Sequence, residues 1–360
     1  MSPAELHIEQ AKVLKQNTKR PLLIAGPCSA ESKTQVLETG RAIAESGHAS
    51  IFRAGVWKPR TRPGSFEGIG TPALGWLKDL KAETGMPVAT EVANAWHVEA
   101  CLEHDIDYLW IGARTTVNPF YVQEIAEALR GVDIPVLVKN PLHPDIGLWI
   151  GALERFNQCG IKQLMAIHRG FYAYEPAPYR NEPKWDLAIK LKRWMPELPI
   201  ICDPSHIAGK TDLIAEVSQT ALDLGMDGLM IETHHNPASA LSDAQQQLTP
   251  ALLASLMDKL VLRKSDFDDT EHLQKLRIIR NHIDGVDEQL LGLLAERLEL
   301  VSEIGIIKKD NNVMIFQLKR FFEILKTRKG MGDDLGLPQD LVHELFELIH
   351  KHSINIQNKI

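Results

Sequence analysis

Eight short apolar, β-branched runs recur through roughly the first 260 residues, and helix-like segments fill most gaps between them. They are LLIAGP (22–27), SIFRAG (50–55), PVATEV (87–92), YLWIG (108–112), VLVKN (136–140), LMAIHRG (164–170), IICDPS (200–205) and GLMIET (228–233). Such alternation implies parallel strands with helical crossovers. Eight units in about 250 residues are the size of a (β/α)8 TIM barrel. A doubly wound open sheet is the competing arrangement, but no GxGxxG or Walker loop follows any run.

Near residue 260 the pattern changes. From about Ser265 no strand signal remains. A helical pattern runs without proline from Asp269 to Lys309, and helices follow near Ile315–Arg328 and Pro338–Asn358. Pro338 suits the first turn of the last helix, and Gly285, Gly292 and Gly305 interrupt the first. A helix this long is not stabilised alone in a small globule, so it is expected to pack along a partner. The expected organisation is α/β: residues 1–262 a barrel, residues 263–360 a smaller all-α three-helix domain that dimerises.

Composition narrows the function. A hydrophobic content of 44% supplies a sizeable core, and a net charge of -7 argues against nucleic-acid binding. No apolar run approaches the roughly 20 residues of a membrane span, and the N-terminus lacks a signal-peptide apolar region. Cys28, Cys101, Cys159 and Cys202 form no CxxC pair, which suits reduced thiols in a cytoplasmic protein.

Chemistry in such barrels lies at the C-terminal ends of the strands. Cys28 follows strand one, Asp203-Pro204-Ser205-His206 ends strand seven, and strand eight gives Glu232 with Asp243 in the loop beyond. These three strands are contiguous once a barrel closes. A thiolate, an imidazole and two carboxylates make a borderline site for a divalent Mn, Fe, Co or Zn ion. Cations dominate strands two, four, five and six: Arg53, Lys58, Arg60, Arg114, Lys139 and Arg169. Six converging cations call for a ligand with phosphate and carboxylate groups. Singly, each residue has a blander reading: Cys28 as core, His206 as a helix cap, the charges as solvated loop residues. The sorting into one acidic–thiol arc and one basic arc is what points to a site. Glu91 is a weaker candidate for orienting a cation, and the other cysteines read as structural.

GPCS, FRAGVWKPRT, IGAR, LVKN, HRG, DPSH, IET and SDAQQ, in this order over about residues 20–250, resemble the short type I-beta 3-deoxy-D-arabino-heptulosonate 7-phosphate (DAHP) synthases. The resemblance implies that Cys28, His206, Glu232 and Asp243 bind the metal. It also implies that Arg53, Lys58, Arg114, Lys139 and Arg169 grip phosphoenolpyruvate, and that Arg60 and Thr61 hold erythrose 4-phosphate. Lys139 and His206 are the proton-transfer candidates. The related 3-deoxy-manno-octulosonate 8-phosphate synthases share the barrel, but KPRT favours the four-carbon aldehyde. Asn140-Pro141-Leu142-His143-Pro144-Asp145 departs from the glycine-containing loop of many synthases.

On the long helix, positions 280, 283, 287, 290, 294, 297, 301, 304 and 308 form a seam that carries Arg280, Asp287, Arg297 and Lys308 among apolar residues. Buried charges are costly unless paired, so three cations on one stripe suggest a pocket for a small dianion. With Arg320, and with Ser353 and Gln357 on one face of the last helix, the layout resembles the all-helical chorismate mutases over about residues 268–358. The resemblance implies that Arg280, Arg297, Lys308, Arg320, Ser353 and Gln357 line the site, Arg280 reaching in from a second chain. Arg297, Lys308 and Gln357 would carry the rearrangement, which needs no cofactor. Phe321 and Gln317 depart from the Glu and Asp frequent in that family. The expected protein is a bifunctional shikimate-pathway homodimer acting on phosphoenolpyruvate, erythrose 4-phosphate and chorismate, with prephenate as feedback effector and no membrane partner. The alternatives are a synthase with a non-catalytic, prephenate-sensing tail, or an octulosonate-phosphate synthase.

Overall fold

Backbone pairing between the first and last runs decides the architecture of the N-terminal part. The computed structural model describes residues 6–9, 21–59, 64–174, 178–264 and 269–360. Its strands are β1 (Leu22–Gly26), β2 (Ile51–Arg53), β3 (Val88–Val92), β4 (Tyr108–Ile111), β5 (Val136–Lys139), β6 (Leu164–His168), a hairpin of β7 (Phe171–Tyr172) and β8 (Asn181–Glu182), then β9 (Ile200–Cys202) and β10 (Gly228–Glu232). Eight of them form the expected closed parallel barrel, in the order β1-β10-β9-β6-β5-β4-β3-β2. Each expected run contains one barrel strand, and the β7–β8 hairpin is an insertion after the sixth.

Alternation along the strands separates two apolar layers. Leu22, Ile24, Tyr108, Trp110, Met165, Ile167 and Met230 fill the barrel interior. Leu23, Ala25, Leu109, Val136, Val138 and Leu229 face the outer helices. Each fully buried aliphatic side chain contributes about 1.5–3 kcal/mol. The outer helices are α1 (Lys33–Ser46), α2 (Pro72–Thr84), α3 (Ala95–Glu103), α4 (Ala113–Thr116), α5 (Pro119–Ala128), α6 (Ile146–Gln158), α7 (Trp185–Trp194), α8 (Pro204–Ala208), α9 (Ile214–Asp223) and α10 (Pro250–Lys259). Side chains of Ser32, Asn94, Asp145 and Thr249 accept hydrogen bonds from free N–H groups at their starts, each worth about 1 kcal/mol. Gly26 ends β1 at φ 149, and a Cβ there would overlap the Arg53 carbonyl. Only glycine lets β1 turn into Cys28 at that point.

The chain divides into two compact units, Met1–Ser265 and Asp266–Ile360. The second contains α11 (Thr270–Asp310), α12 (Leu318–Asp334) and α13 (Gln339–Gln357). Helix α11 runs 41 residues without a break. Gly285 and Gly292 meet open space, whereas Gly305 is buried where a Cβ would press on Gln357 and Ile360. The three glycines therefore do not interrupt the helix, and Gly305 permits close approach of α13. Helix α12 extends past the expected Arg328 to Asp334, because buried Gly332 packs against Val342 and holds the last turn onto α13. Pro338 is the N-cap of α13, just outside the first turn where it was expected. Val301 and Gly305 are the buried residues of α11; Ile278, Ile279, Ile283, Val286, Leu290 and Leu293 are exposed. No helix among the described residues is long and apolar enough to cross a membrane.

Candidate functional site

The barrel mouth gathers donors from both ends of the fold. Parallel register sets Gly26 opposite Glu232, so the residues just beyond β1 lie beside the end of β10. The Cys28 thiol donates to Asp243 Oδ2 at 3.3 Å. The sulfur, a Glu232 oxygen and an Asp243 oxygen all lie within 4.8 Å of one another. His206, on α8 just after β9, adjoins this trio: its Nε2 is 3.8 Å from Glu232 Oε1. Three of the four expected ligands therefore meet at one place, and His206 stands at its edge.

Electrostatics there suit a cation. Burial first, then Glu232, pushes the Cys28 thiol up to about 12, partly countered by Lys58, whose Nζ is 3.0 Å from the sulfur. Burial opposes ionisation of Asp243, but His206, Arg180 and Lys58 hold its carboxyl well below the usual range. Burial likewise opposes Glu232, outweighed by His206 and Arg53, and burial lowers His206. A soft donor, an imidazole and two carboxylates crowded this closely fit a divalent ion, which would take the place of the thiol proton.

Adjoining the cluster, and sharing His206 and Asp243 with it, lies a cavity of about 90 Å³ lined also by Lys58, Glu91, Arg114, Lys139, Arg169 and Arg180, with Pro59, Gly112, Ala113 and Leu142. Lys139 Nζ donates to Asp203 Oδ2 at 2.9 Å. Arg169 Nη1 donates to Asn181 Oδ1 at 2.7 Å. Burial, helped by Arg180 and Arg114, draws the Arg169 guanidinium down to about 10 against the pull of Asp203, the state of a cation short of counter-charge. Arg53 is turned differently and does not line the cavity. It donates to Glu232 Oε1 at 2.9 Å and to the Cys28 carbonyl at 3.4 Å, with its Cζ 4.7 Å over the Trp110 ring. Glu91 accepts from Trp110 Nε1 at 2.9 Å. Arg60 and Thr61 lie outside the described residues.

Three contributors were not foreseen. Asp203 bridges Lys139 and His206, whose Nδ1 lies 2.8 Å from the same Oδ2. Its place directly after β9 was the available signal. Arg180, within the hairpin insertion, donates to Asp243 Oδ1 at 3.0 Å and Gln246 Oε1 at 2.7 Å. Gln246 Nε2 in turn donates to Glu232 Oε2 at 2.8 Å. No strand end marks either residue. A larger cavity, about 810 Å³, opens at the N-terminal ends of the strands. It contains none of the expected site residues, and its Lys81 is paired with Asp107 at 2.7 Å.

The helical unit encloses about 400 Å³ lined by Arg297, Lys308, Arg320, Ser353 and Gln357, five of the six expected residues, together with Gln317, Arg328 and His350. Arg297 Nη1 donates to Ser353 Oγ at 3.0 Å, and Lys308 Nζ to the Ile315 carbonyl at 2.7 Å. Burial, then Arg328, lowers the Arg297 pKa. Gln357 Oε1 is buried with no hydrogen-bond partner among the described residues. Arg280 is exposed and outside this cavity. It lies seventeen residues before Arg297, about 25 Å along the helix axis. Phe321 packs on His350 at 4.5 Å and does not line the cavity. Arg328 and His350 were not foreseen: neither belongs to the α11 seam nor to the positions that the chorismate mutase resemblance marked.

The model of the DAHP synthetase I family matches residues 5–266, and that of chorismate mutase type II matches residues 279–358. A phospho-2-dehydro-3-deoxyheptonate aldolase of Thermotoga maritima is 32% identical over 238 residues, covering 66% of this chain and 68% of that protein. A 2-dehydro-3-deoxyphosphooctonate aldolase of Azoarcus sp. is 27% identical over 244 residues, covering 62% and 84%. The crystal structure of DAHP synthase from Thermotoga maritima superposes with a TM-score of 0.60 at 30% identity, over 66% of this chain and 67% of that one. The chain thus belongs to the DAHP synthetase I family and joins that synthase to a chorismate mutase type II domain, as a bifunctional enzyme of the shikimate pathway.

Proposed function

We propose that the barrel domain, residues 1–262, condenses phosphoenolpyruvate with erythrose 4-phosphate, using a divalent metal held by Cys28, His206, Glu232 and Asp243. One observation carries this reading: a cation-lined cavity at the barrel mouth adjoins a thiol–carboxylate cluster and shares Asp243 with it, with His206 beside both. The ion, one of Mn, Fe, Co or Zn, would supply Lewis-acid polarisation of the aldehyde oxygen. Lys58, Arg114, Lys139 and Arg169 hold the phosphate and carboxylate of phosphoenolpyruvate, so that its C3 is presented to the aldehyde carbon. Arg53 acts one layer below, keeping Glu232 ionised. Arg60 and Thr61 are assigned to the erythrose 4-phosphate phosphate. Water adds at C2 and phosphate leaves by C–O cleavage. Asp203, joined to both Lys139 and His206, orients these two proton-transfer groups.

In the helical domain, residues 263–360, Arg297, Arg320 and Lys308 hold the carboxylates of chorismate in its compact conformer. Lys308 and Gln357 stabilise the charge that develops on the ether oxygen. Arg280 is assigned to the cavity of a second chain, because it is too far along α11 to serve its own. The exposed apolar face of α11 supports the homodimer this requires. Prephenate retained in that cavity would restrain the barrel as feedback inhibitor, in a cytoplasmic enzyme without nucleic-acid or membrane partner.

The test follows phosphate release from both barrel substrates with and without a chelator, alongside chorismate consumption. Expected are chelator-sensitive phosphate release and chelator-insensitive mutase activity. Preference for arabinose 5-phosphate over erythrose 4-phosphate would replace the first assignment with the octulosonate-phosphate reaction named for the Azoarcus relative. Absence of chorismate turnover, with prephenate still bound, would reduce the tail to a sensing module.

A further inference from the structure

Gln247 lies in the loop beyond β10 and is 2% exposed. Its carboxamide is bonded at both ends. Oε1 accepts from the Cys28 N–H at 3.0 Å, and Nε2 donates to the Ser242 carbonyl at 2.8 Å. Neither backbone group has another hydrogen-bond partner among the described residues. Cys28 supplies the thiol of the donor cluster, and Ser242 immediately precedes Asp243. The main chain beside Gln247 is itself fixed: the Leu248 N–H donates to the Glu232 carbonyl at 2.9 Å, and the His234 N–H to the Leu248 carbonyl at 2.8 Å. A single buried side chain therefore ties the backbones at Cys28 and Asp243 to the end of β10, where Glu232 stands.

Asp243 needs such a tie. Its backbone is left-handed, at φ 48 and ψ 36, a conformation that a non-glycine residue keeps only where its surroundings hold it. Other contacts reach the same loop. The Gln246 N–H donates to the Asp243 carbonyl at 3.2 Å, a bond within the loop. The Leu241 N–H donates to Glu31 Oε1 at 2.9 Å, two residues ahead of Asp243. The Ser29 and Ser242 hydroxyls meet side chain to side chain. Arg180 and the Cys28 thiol bond the Asp243 carboxylate, not its backbone. Among these contacts, Gln247 is the one that bonds main chain on both sides of the gap between Cys28 and Asp243.

We propose that Gln247 is a positioning residue for the metal centre, setting the separation of Cys28 and Asp243 through the two backbones it bonds. This goes beyond the assignment of the divalent ion to Cys28, His206, Glu232 and Asp243, and rests on it.

The experiment titrates the full-length, chelator-treated chain with Co2+ and follows the thiolate-to-cobalt absorption and the affinity. Wild type is compared with Gln247→Leu, which keeps the side-chain volume and loses both hydrogen bonds, with Cys28→Ala and Asp243→Ala, and with Gln247→Leu combined with each. Urea midpoints and chorismate turnover report folding. Gln247→Leu is expected to weaken Co2+ binding about 10-fold, the size of losing a group that orients metal ligands. Once either Cys28 or Asp243 is gone there is no separation left to set, so adding Gln247→Leu to either ligand variant should cost less than about threefold. A cost that persists in full in both ligand variants would overturn the proposal. So would a lower urea midpoint with Co2+ affinity unchanged, which would make Gln247 structural only. Should Gln247→Leu fail to fold, Gln247→Asn takes its place, since its amide is too short to span both backbones; wild-type Co2+ affinity in that variant would overturn the proposal. Wild type that binds no Co2+, or binds it equally well without Cys28 and Asp243, would remove the metal assignment and the proposal together.

Discussion

Arg53 and Glu232 form a closed ion pair at the barrel mouth: Arg53 Nη1 is 2.9 Å from Glu232 Oε1, and their side chains are 1% and 0% exposed. Burial works against both charges; Glu232 foremost keeps Arg53 charged, and His206, then Arg53, keep Glu232 ionised. The pair joins the cationic wall to the donor cluster, since the other Glu232 oxygen accepts from Gln246. Removing one partner strands a buried charge. Arg53→Met is expected to cost about 3–5 kcal/mol in urea unfolding of the barrel, and Arg53→Met with Glu232→Gln less than the sum of the two. Additive costs would mean the two residues do not act as a unit.

His168 sets an acid limit on the barrel. It is fully buried among Trp149, Phe171 and Trp185, and burial lowers its pKa from 6.5 to about 4. Between these values the unfolded chain binds a proton that the folded chain refuses. The stabilisation is therefore complete above pH 6.5 and is lost as pH falls toward 4, by about 3 kcal/mol. Urea midpoints at pH 7 and pH 4.5 measure it. His168→Gln should flatten the difference between them, and an unaltered pH slope in that variant would contradict the assignment.

Metal affinity should depend on the Cys28 proton. With the thiol pushed up to about 12, binding of a divalent ion through sulfur must release that proton. The logarithm of the affinity is expected to rise by about one unit per pH unit around neutrality. Calorimetry in buffers of different ionisation enthalpy would count the proton. Cys28→Ala should lose the proton release along with more than about tenfold in affinity, without reducing chorismate turnover.

A site shared between chains predicts complementation. Arg280→Ala and Arg297→Ala homodimers should each lack mutase activity. Mixed and allowed to exchange, half the dimers are mixed and carry one intact site of two, which restores about a quarter of wild-type activity. No recovery, with exchange confirmed by native mass spectrometry, would place Arg280 outside the site.

Lys308→Ala tests the charge on the ether oxygen. Loss of one preorganised donor is expected to lower mutase kcat about 10²–10³-fold while phosphate release by the barrel continues. A rise in KM with kcat unchanged would make Lys308 a binding residue only.

Local patterning determined a good deal of this protein. The period of the strands and helices specified a parallel barrel followed by a helical unit, because apolar alternation is a property of neighbours in the chain. The rule of strand ends then marked Cys28, Lys139, Arg169, His206 and Glu232, since a closed parallel barrel sends every strand end to one face. Pairing across the mouth was decided by tertiary structure alone. Arg53 also ends a strand, yet it turns to Glu232, 179 residues away, while Arg180 reaches Asp243 from a hairpin that follows no such rule. His350 reaches the helical cavity only through the way α13 packs against its neighbours. Burial, charge balance and hydrogen-bond satisfaction depend on contacts between distant segments, and those exist only once the barrel has closed and the helices have packed.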